Sequence, residues 1–361
     1  MDVDLRLTAT ARAAEDTGDP RSSSVSVTIC SVLKFILEKG ARLVLLLASV
    51  ATLSFVLVSF SPVDPIDAYL GPSILKVSPE QQELIAQRWG LDQPPLERFW
   101  KWAGNLIQGD LGVSTIFNEP VVSVIGKRFA TSFWLMLLAW SLSGLLGFTL
   151  GIFAGVYQSS FLDKCISFYA YTMASTPTFW VGMVLLTVFS IQLGWTPVCC
   201  AWPIGMDSDQ VGLLTRIHHL LLPAITLSLI GVAQIALHTR EKTVDAMQSE
   251  YAIFAKAQGE SRLGIAFHRA LRNVALPAVT LQFASLGELF GGAVLAEQVF
   301  AYPGLGKVTV EAGYRGDVPL LLGIVLFSAV FVFVGNTTAD LIYKMVDPRM
   351  RARDSMGRSG L

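Results

Sequence analysis

The chain alternates between long apolar runs and shorter polar stretches, and the runs are too long for the core strands or helices of an ordinary soluble domain. Leu43–Phe60 carries no charge and ends at Ser61-Pro62, Thr131–Val156 is uncharged, and Phe168–Leu193 lies in a charge-free stretch that reaches Met206. Leu220–Leu237 is bounded by histidines, Ala278–Val299 has Glu288 and Glu297 as its only charges, and Val318–Ala339 is clean again. A bilayer's hydrocarbon core needs about 20 apolar residues of helix. The pattern predicts an all-α membrane protein with six transmembrane helices, a small helical external cap between the first and second, and a cytoplasmic helical loop between the fourth and fifth.

Composition agrees. Of 361 residues 52% are hydrophobic and 15% charged, against roughly 25% charged in soluble domains. Basic residues are scattered, which argues against nucleic acid as a partner, and Cys30, Cys165, Cys199 and Cys200 are too few and too irregular for a disulfide scaffold. Lys34, Lys39 and Arg42 precede the first helix; Arg240, Lys242, Lys256, Arg262, Arg269 and Arg272 lie between the fourth and fifth; Lys344, Arg349, Arg351 and Arg353 follow the sixth. Positive charge marks the cytoplasmic side, so both termini and the 240–277 loop are expected there, while the long 61–130 loop translocates despite its own basic residues. Residues 1–32 read as a disordered cytoplasmic tail and not as a cleavable signal, since the apolar run begins late and lacks a small-residue cleavage site. The first helix and cap then occupy 33–130, a five-helix core 131–346, and a cytoplasmic tail 347–361.

Within the cap, Ser78-Pro79-Glu80 predicts a helix start with proline at the first helical position. Pro94-Pro95 breaks that helix, and a second spans Leu96–Gln108 with Trp100 and Trp102 as interfacial anchors. Gly147, Gly151 and Gly155 share one face of the second membrane helix, a spacing that lets two backbones approach in lipid, and Gly287 and Gly291 repeat it in the fifth. Pro177 is expected to kink the third.

Little here suggests catalysis. AYPGLGKVTV (301–310) has the outline of a phosphate loop, but Ala301 and Val308 stand where the motif needs glycine and Ser/Thr; Gly304 and Gly306 read instead as a tight external turn. His218 and His219 share a loop with Cys199 and Cys200, a set a soft metal would suit, yet adjacent histidines at a helix start are more simply interfacial residues, and no metal site is assigned. No nucleophile–base pair is apparent, so the chain is not expected to be an enzyme. Glu288 stands apart. It lies about 16 Å along the fifth helix from Pro277, near the bilayer midplane, where an ionisable group faces protein or water. Two readings stay open: it lines a polar path, or it is a structural clamp against Gln234. Glu297, nearer the outer surface, calls for no such argument.

The segment EYAIFAKAQGESRLGIAFHRALRNVALP, Glu250–Pro277, gathers charge between two apolar runs. It predicts two short helices meeting at Gly259, with Ser261 capping the second and Leu263, Phe267, Ala270, Leu271 and Val274 on one stripe. Pro277 is expected to open the fifth membrane helix. A helix resting on anionic lipid is the plain alternative, but Glu250–Gln258 mixes Tyr251 and Phe254 with Glu250 and Lys256, a poor lipid-binding face. A docking surface for another protein fits better.

At Ile253, Phe254, Ala255, Gly259, Val274, Leu276 and Pro277 the loop resembles the coupling motif of the inner permeases of ATP-binding-cassette importers for oligopeptides, dipeptides and nickel. The leading Glu-Ala of the general motif is absent and the gap from glycine to proline is longer, as in the peptide–nickel branch. SPVDP, GLDQP, GDLGVS, TPTFWVG, LGWTPV, ALRNVALP, GGAVLAEQVFAYPGLG and DPRMR follow in the same order over about Leu33–Arg353. The resemblance implies a permease subunit in a bacterial or archaeal cell membrane, without a cofactor. Its implied partners are a second, similar permease, two cytoplasmic ATPases, an extracytoplasmic substrate-binding protein and membrane lipid. Ile253, Phe254, Ala255, Gly259, Arg262 and Pro277 would couple to the ATPases, and Glu288 and Gln234 would line the path. A peptide is the first implied substrate, nickel or a metal chelate the second. A secondary transporter is the rival class; it would need no docking helices and would show internal repeats, which are not found.

Overall fold

The computed structural model describes residues 20–60, 78–89, 93–206 and 210–346. The SPVDP stretch, the first 19 residues of the N-terminal tail and the C-terminal tail lie outside the described residues. Among those described the chain is helical, with an isolated backbone bridge between Val113 and Pro120 and no sheet. Two compact units divide at Val50/Ala51.

In the first unit the described element is the N-terminal part of α1 (Pro20–Ser59). Residues 20–32, expected to be disordered, are helical. Proline is pre-organised for the first helical position, and no glycine or further proline interrupts the chain before Gly40.

The second unit holds the remainder. The expected cap helices are α2 (Pro79–Trp89) and α3 (Pro95–Ile107). Ser78 starts α2 through a reciprocal cap: its hydroxyl accepts the Gln81 N–H (3.3 Å), and the Gln81 side chain accepts the Ser78 N–H (3.3 Å). On α3, Phe99 and Trp102 pack against Phe55 of α1, with ring centroids 5.2 and 5.9 Å away. Trp102 is thus a packing residue, while Trp100 stays exposed.

Four helical stretches are long and apolar enough to cross a membrane: Leu37–Leu57 of α1, α4 (Val121–Val156), a long helix at Leu213–Met247, and Val318–Ile342. Two bent pairs bring the number to six. One comprises α5 (Phe161–Ala174), α6 (Thr178–Leu185) and the π-helical continuation Leu186–Gln192, bent by 109°. Pro177 therefore breaks this span, where a kink was expected. It cannot donate to the ladder, and it disfavours helical geometry at Thr176, so α5 ends and α6 restarts with Pro177 as its N-cap.

Beyond α7 (Leu213–Met247) and the short α8 (Glu250–Ala257) comes the second pair. Its first arm runs without a break through α9 (Arg262–Ile265), a π turn (Ala266–Ala270) and α10 (Leu271–Ala284). It meets α11 (Leu286–Val299) at Ser285 with a 50° bend. Pro277 does not open this span but lies inside α10. Membrane helices tolerate an internal proline where neighbours and local π adjustments re-satisfy the freed backbone. The π turn also rotates the expected stripe: Ile265 and Ala266 are buried and Phe267 is turned outward. Two further helices, α12 (Leu305–Tyr314) and α13 (Val318–Val346), complete the fold.

The glycine face of α4 packs on α7. A β-carbon at Gly147 would lie 2.8 Å from Ile235 Cβ, one at Gly151 2.5 Å from Thr239 Cβ, and one at Gly155 2.4 Å from Thr243 Cβ. Three turns of bare backbone are thus pressed against the neighbouring helix. The fifth-span motif behaves differently. At Gly287 a β-carbon would sit 3.2 Å from Val332 of α13, but Gly291 meets nothing within 4 Å and is exposed. Among the described residues Gly291 is therefore not packed; after the bend at Ser285, Gly292 takes the packed position, where a β-carbon would lie 3.4 Å from Leu227.

Candidate functional site

A cleft of about 60 Å³ opens where the two broken spans meet α4 and α7. Thr178, the first residue of α6, and Ser285, at the α10–α11 bend, bring both breaks to its wall. Trp140 and Ser143 of α4, Gln234 and Gly231 of α7, and Glu288 and Gly292 of α11 complete the polar and small lining. Helix breaks of this kind sit in membrane proteins where they line cavities. The sequence expectation brought Glu288 and Gln234 together, and both line this cleft. The clamp between them is not formed: neither side chain has a hydrogen-bond or ion-pair partner among the described residues, and both are exposed to the cleft. The two serines and the Trp140 indole are committed internally, while the Thr178 hydroxyl has no hydrogen-bond partner among the described residues. Ser143 Oγ donates to the Trp140 carbonyl (2.9 Å), Ser285 Oγ to the Gln282 carbonyl (3.0 Å), and Trp140 Nε1 to that same carbonyl (2.9 Å).

At one end of the helices lies the elbow between α8 and α9. Gly259 adopts φ +87°, a conformation costly for any residue with a β-carbon. The Glu260 N–H closes the turn on the Ala255 carbonyl (3.1 Å), the Arg269 guanidinium reaches Glu260 (2.8 Å), and the Ser261 hydroxyl caps α9 by accepting the Gly264 N–H (3.1 Å). Ala252 and Ala255 are buried against Ile265, so Ala255 holds the elbow together and presents no surface. Ile253 and Phe254 point the other way, 60% and 64% exposed, with Arg262 also exposed. Pro277, embedded in α10, takes no part in that surface. Near this end, Asp163 at the start of α5 receives both Nε and Nη2 of Arg240 on α7 (2.5 and 2.8 Å), tying the two spans together.

At the opposite end of α11 sits the residue that sequence reasoning passed over. Glu297 has no exposed surface. Its Oε1 accepts the Ser132 hydroxyl, which in turn accepts the Leu305 N–H (2.7 Å), and its Oε2 accepts the Lys307 N–H (3.0 Å). The carboxylate thus fills the N-terminus of α12, where unpaired N–H groups and the helix dipole favour an anion. A β-carbon on Gly304 would lie 2.2 Å from Oε1, and one on Gly306 3.0 Å from Oε2. Gly304 closes a tight turn on the Tyr302 carbonyl (2.8 Å) while Gly306 lies inside α12, and both leave room for Glu297. The phosphate-loop outline of 301–310 is an anion site already filled from within. Beside it, burial and then the Glu297 charge push the Tyr302 phenol well above its usual range. Asp317 plays a similar part between α12 and α13, accepting from the Ser114 hydroxyl (2.5 Å) and from the N–H groups of Ile116 (3.0 Å) and Leu320 (3.1 Å). The signal for Glu297 was its charge in an otherwise apolar run facing a Pro-Gly-Leu-Gly stretch.

Cys199 and Cys200 are bonded to each other. The adjacent histidines are engaged by backbone carbonyls, His218 Nε2 with Trp195 (2.9 Å) and His219 Nδ1 with Cys199 (3.1 Å). Among the described residues no group of three or more metal-capable side chains is gathered.

Broken membrane spans around a mainly apolar cleft that holds Glu288 and Gln234, with a helical elbow at one end, are the frame of a multi-pass membrane permease. Residues 147–352 match the model of the binding-protein-dependent transport system inner membrane component, and residues 32–136 match the N-terminal model of the same membrane components. The chain belongs to this family. It is 32% identical over 317 residues to the oligopeptide transport system permease protein AppB of Bacillus subtilis (strain 168), covering 88% of this chain and 98% of that protein. It is 33% identical over 321 residues to the glutathione transport system permease protein GsiC of Escherichia coli (strain K12), covering 89% and 99%.

Proposed function

We propose that the chain is one of two membrane subunits of an ATP-driven importer of peptides, with both termini and the elbow on the cytoplasmic side. Two ATPase subunits dock on the elbow and hydrolyse ATP, an extracytoplasmic binding protein delivers the substrate, and the second permease completes the path. The naming of AppB and GsiC for oligopeptide and glutathione transport supports a peptide over nickel as substrate. The observation that carries the reading is mechanical. Ile253 and Phe254 offer an apolar tip beside the Gly259 turn, and the arm from Arg262 runs unbroken to Ala284, about 35 Å at 1.5 Å per residue. It ends at the Ser285 bend on the cleft wall. Force applied at the tip has a stiff route to the cleft.

Gly259→Asp tests this. The site is open, so its effect comes from the positive φ and from a charge at the tip. In the reconstituted complex the variant is expected to insert and pair with the second permease, while ATPase association, or its stimulation by loaded binding protein, falls at least twentyfold. That corresponds to about 2 kcal/mol at a packed interface centre. Uptake and stimulated hydrolysis at wild-type rates would mean that the elbow is not the coupling element.

A further inference from the structure

The cleft has a chemical bias that the peptide reading leaves unspecified. Of its eleven lining residues, Glu288 is the one carboxylic side chain, and none is Lys, Arg or His. The serine hydroxyl protons are spent on backbone carbonyls, as is the Trp140 indole N–H. What the wall has left to offer a visitor is the Glu288 carboxylate, the serine hydroxyl lone pairs, the Thr178 hydroxyl and the Gln234 amide. That set accepts more hydrogen bonds than it donates. An ammonium group is the complementary guest, with three donors, no acceptor and a positive charge. The volume holds a few water molecules or one head group, not a whole peptide. A divalent cation fits the donor set less well, since one carboxylate and one amide leave most of its coordination sphere unfilled.

We propose that Glu288 is the counter-charge for the substrate's α-ammonium group in transit, so that the path itself favours peptides with a free amino terminus over N-acylated ones. This rests on the peptide-import reading above and adds a specificity determinant to it. Removing the charge by Glu288→Gln keeps the size and the hydrogen-bonding reach while abolishing the attraction, so the loss should fall on the free-amine substrate. Glu288→Asp keeps the charge with a shorter reach.

The experiment is ATP-dependent uptake into proteoliposomes holding the complete transporter, with binding protein saturated in turn by trialanine and by N-acetyl-trialanine. The wild type is expected to take up the free peptide at least tenfold faster. Glu288→Gln is expected to bring the two within about threefold of each other, with Glu288→Asp between, at unchanged yield and thermal stability of the complex. A preference undiminished in Glu288→Gln would overturn the proposal and assign selectivity to the binding protein. Inhibition of wild-type uptake by Ni²⁺ that Glu288→Gln relieves would also overturn it, by making the carboxylate a metal ligand. Absence of ATP-dependent uptake of either peptide by the wild type would overturn the import reading, and this one with it.

Discussion

The two ends of α11 carry a glutamate each, and the same side chain is put to opposite uses. Near its start Glu288 opens into the cleft without a partner among the described residues; near its end Glu297 is sealed from solvent and bonded to a hydroxyl and a backbone N–H group. The surroundings make the difference. Glu297 faces the uncapped N-terminus of α12, where glycines at 304 and 306 make space for a carboxylate. Glu288 faces a bend and a cleft, where no side chain among the described residues bonds to it. A charge in a membrane segment is expensive, and a protein retains it either by satisfying it completely or by exposing it to a path that needs it. Charge in an apolar run is therefore not one signal but two, and the partner's backbone decides which.

That comparison can be pressed hardest at the sealed end. Glu297→Ala removes the carboxylate from the α12 N-terminus and leaves the Lys307 N–H and the Ser132 hydroxyl proton unpaired in a buried site. The expected loss is about 3 kcal/mol or more, read as a fall in complex yield and thermal stability. Gly304→Ala should cost a similar amount alone, because its β-carbon would collide with the carboxylate and with Ser132 Oγ. In a background carrying both Glu297→Ala and Ser132→Ala it should cost much less. Additive losses would show that the glycine is needed for some other reason.

Packing glycines give a second, smaller contrast between α4 and α11. Gly151→Leu would drive a side chain into Thr239 and the Ala236 carbonyl, and overpacking of this kind costs about 1–3 kcal/mol. Gly291→Ala, in the same sequence motif but with open space around it, should change the stability of the complex by no more than about 0.5 kcal/mol. A larger loss at Gly291 would mean that its face meets another subunit.

Local signals explain why much of this was legible in advance. The six spans follow from run length, the start of α2 from Ser78-Pro79, and the elbow from Gly259 followed by Ser261. Each depends on a few adjacent residues. What escaped depends on distant ones. Ser132 and Glu297 are 165 positions apart and Ser114 and Asp317 are 203, so no window of sequence contains both halves of either contact. The π turn at Ala266–Ala270 has no proline or glycine to announce it, and it both turns Phe267 outward and accompanies Pro277 inside a helix. At the cleft, Glu288 was conspicuous by charge, but its freedom from Gln234 is a matter of how the bent span carrying Glu288 meets α7.

The central claim is that Glu297 serves the fold and Glu288 serves the substrate. Its most direct test is to make Glu297→Gln and Glu288→Gln in the same complete transporter and measure, for each, thermal stability and ATP-dependent peptide uptake per folded complex. Glu297→Gln is expected to lower the melting temperature and the yield, because the amide brings N–H donors to a site built of donors, while the complexes that survive still transport. Glu288→Gln is expected to leave the melting temperature within about a degree of wild type and to reduce uptake of free-amine peptide severalfold. A stability loss at Glu288 with normal uptake, or an unperturbed melting temperature at Glu297, would contradict the claim.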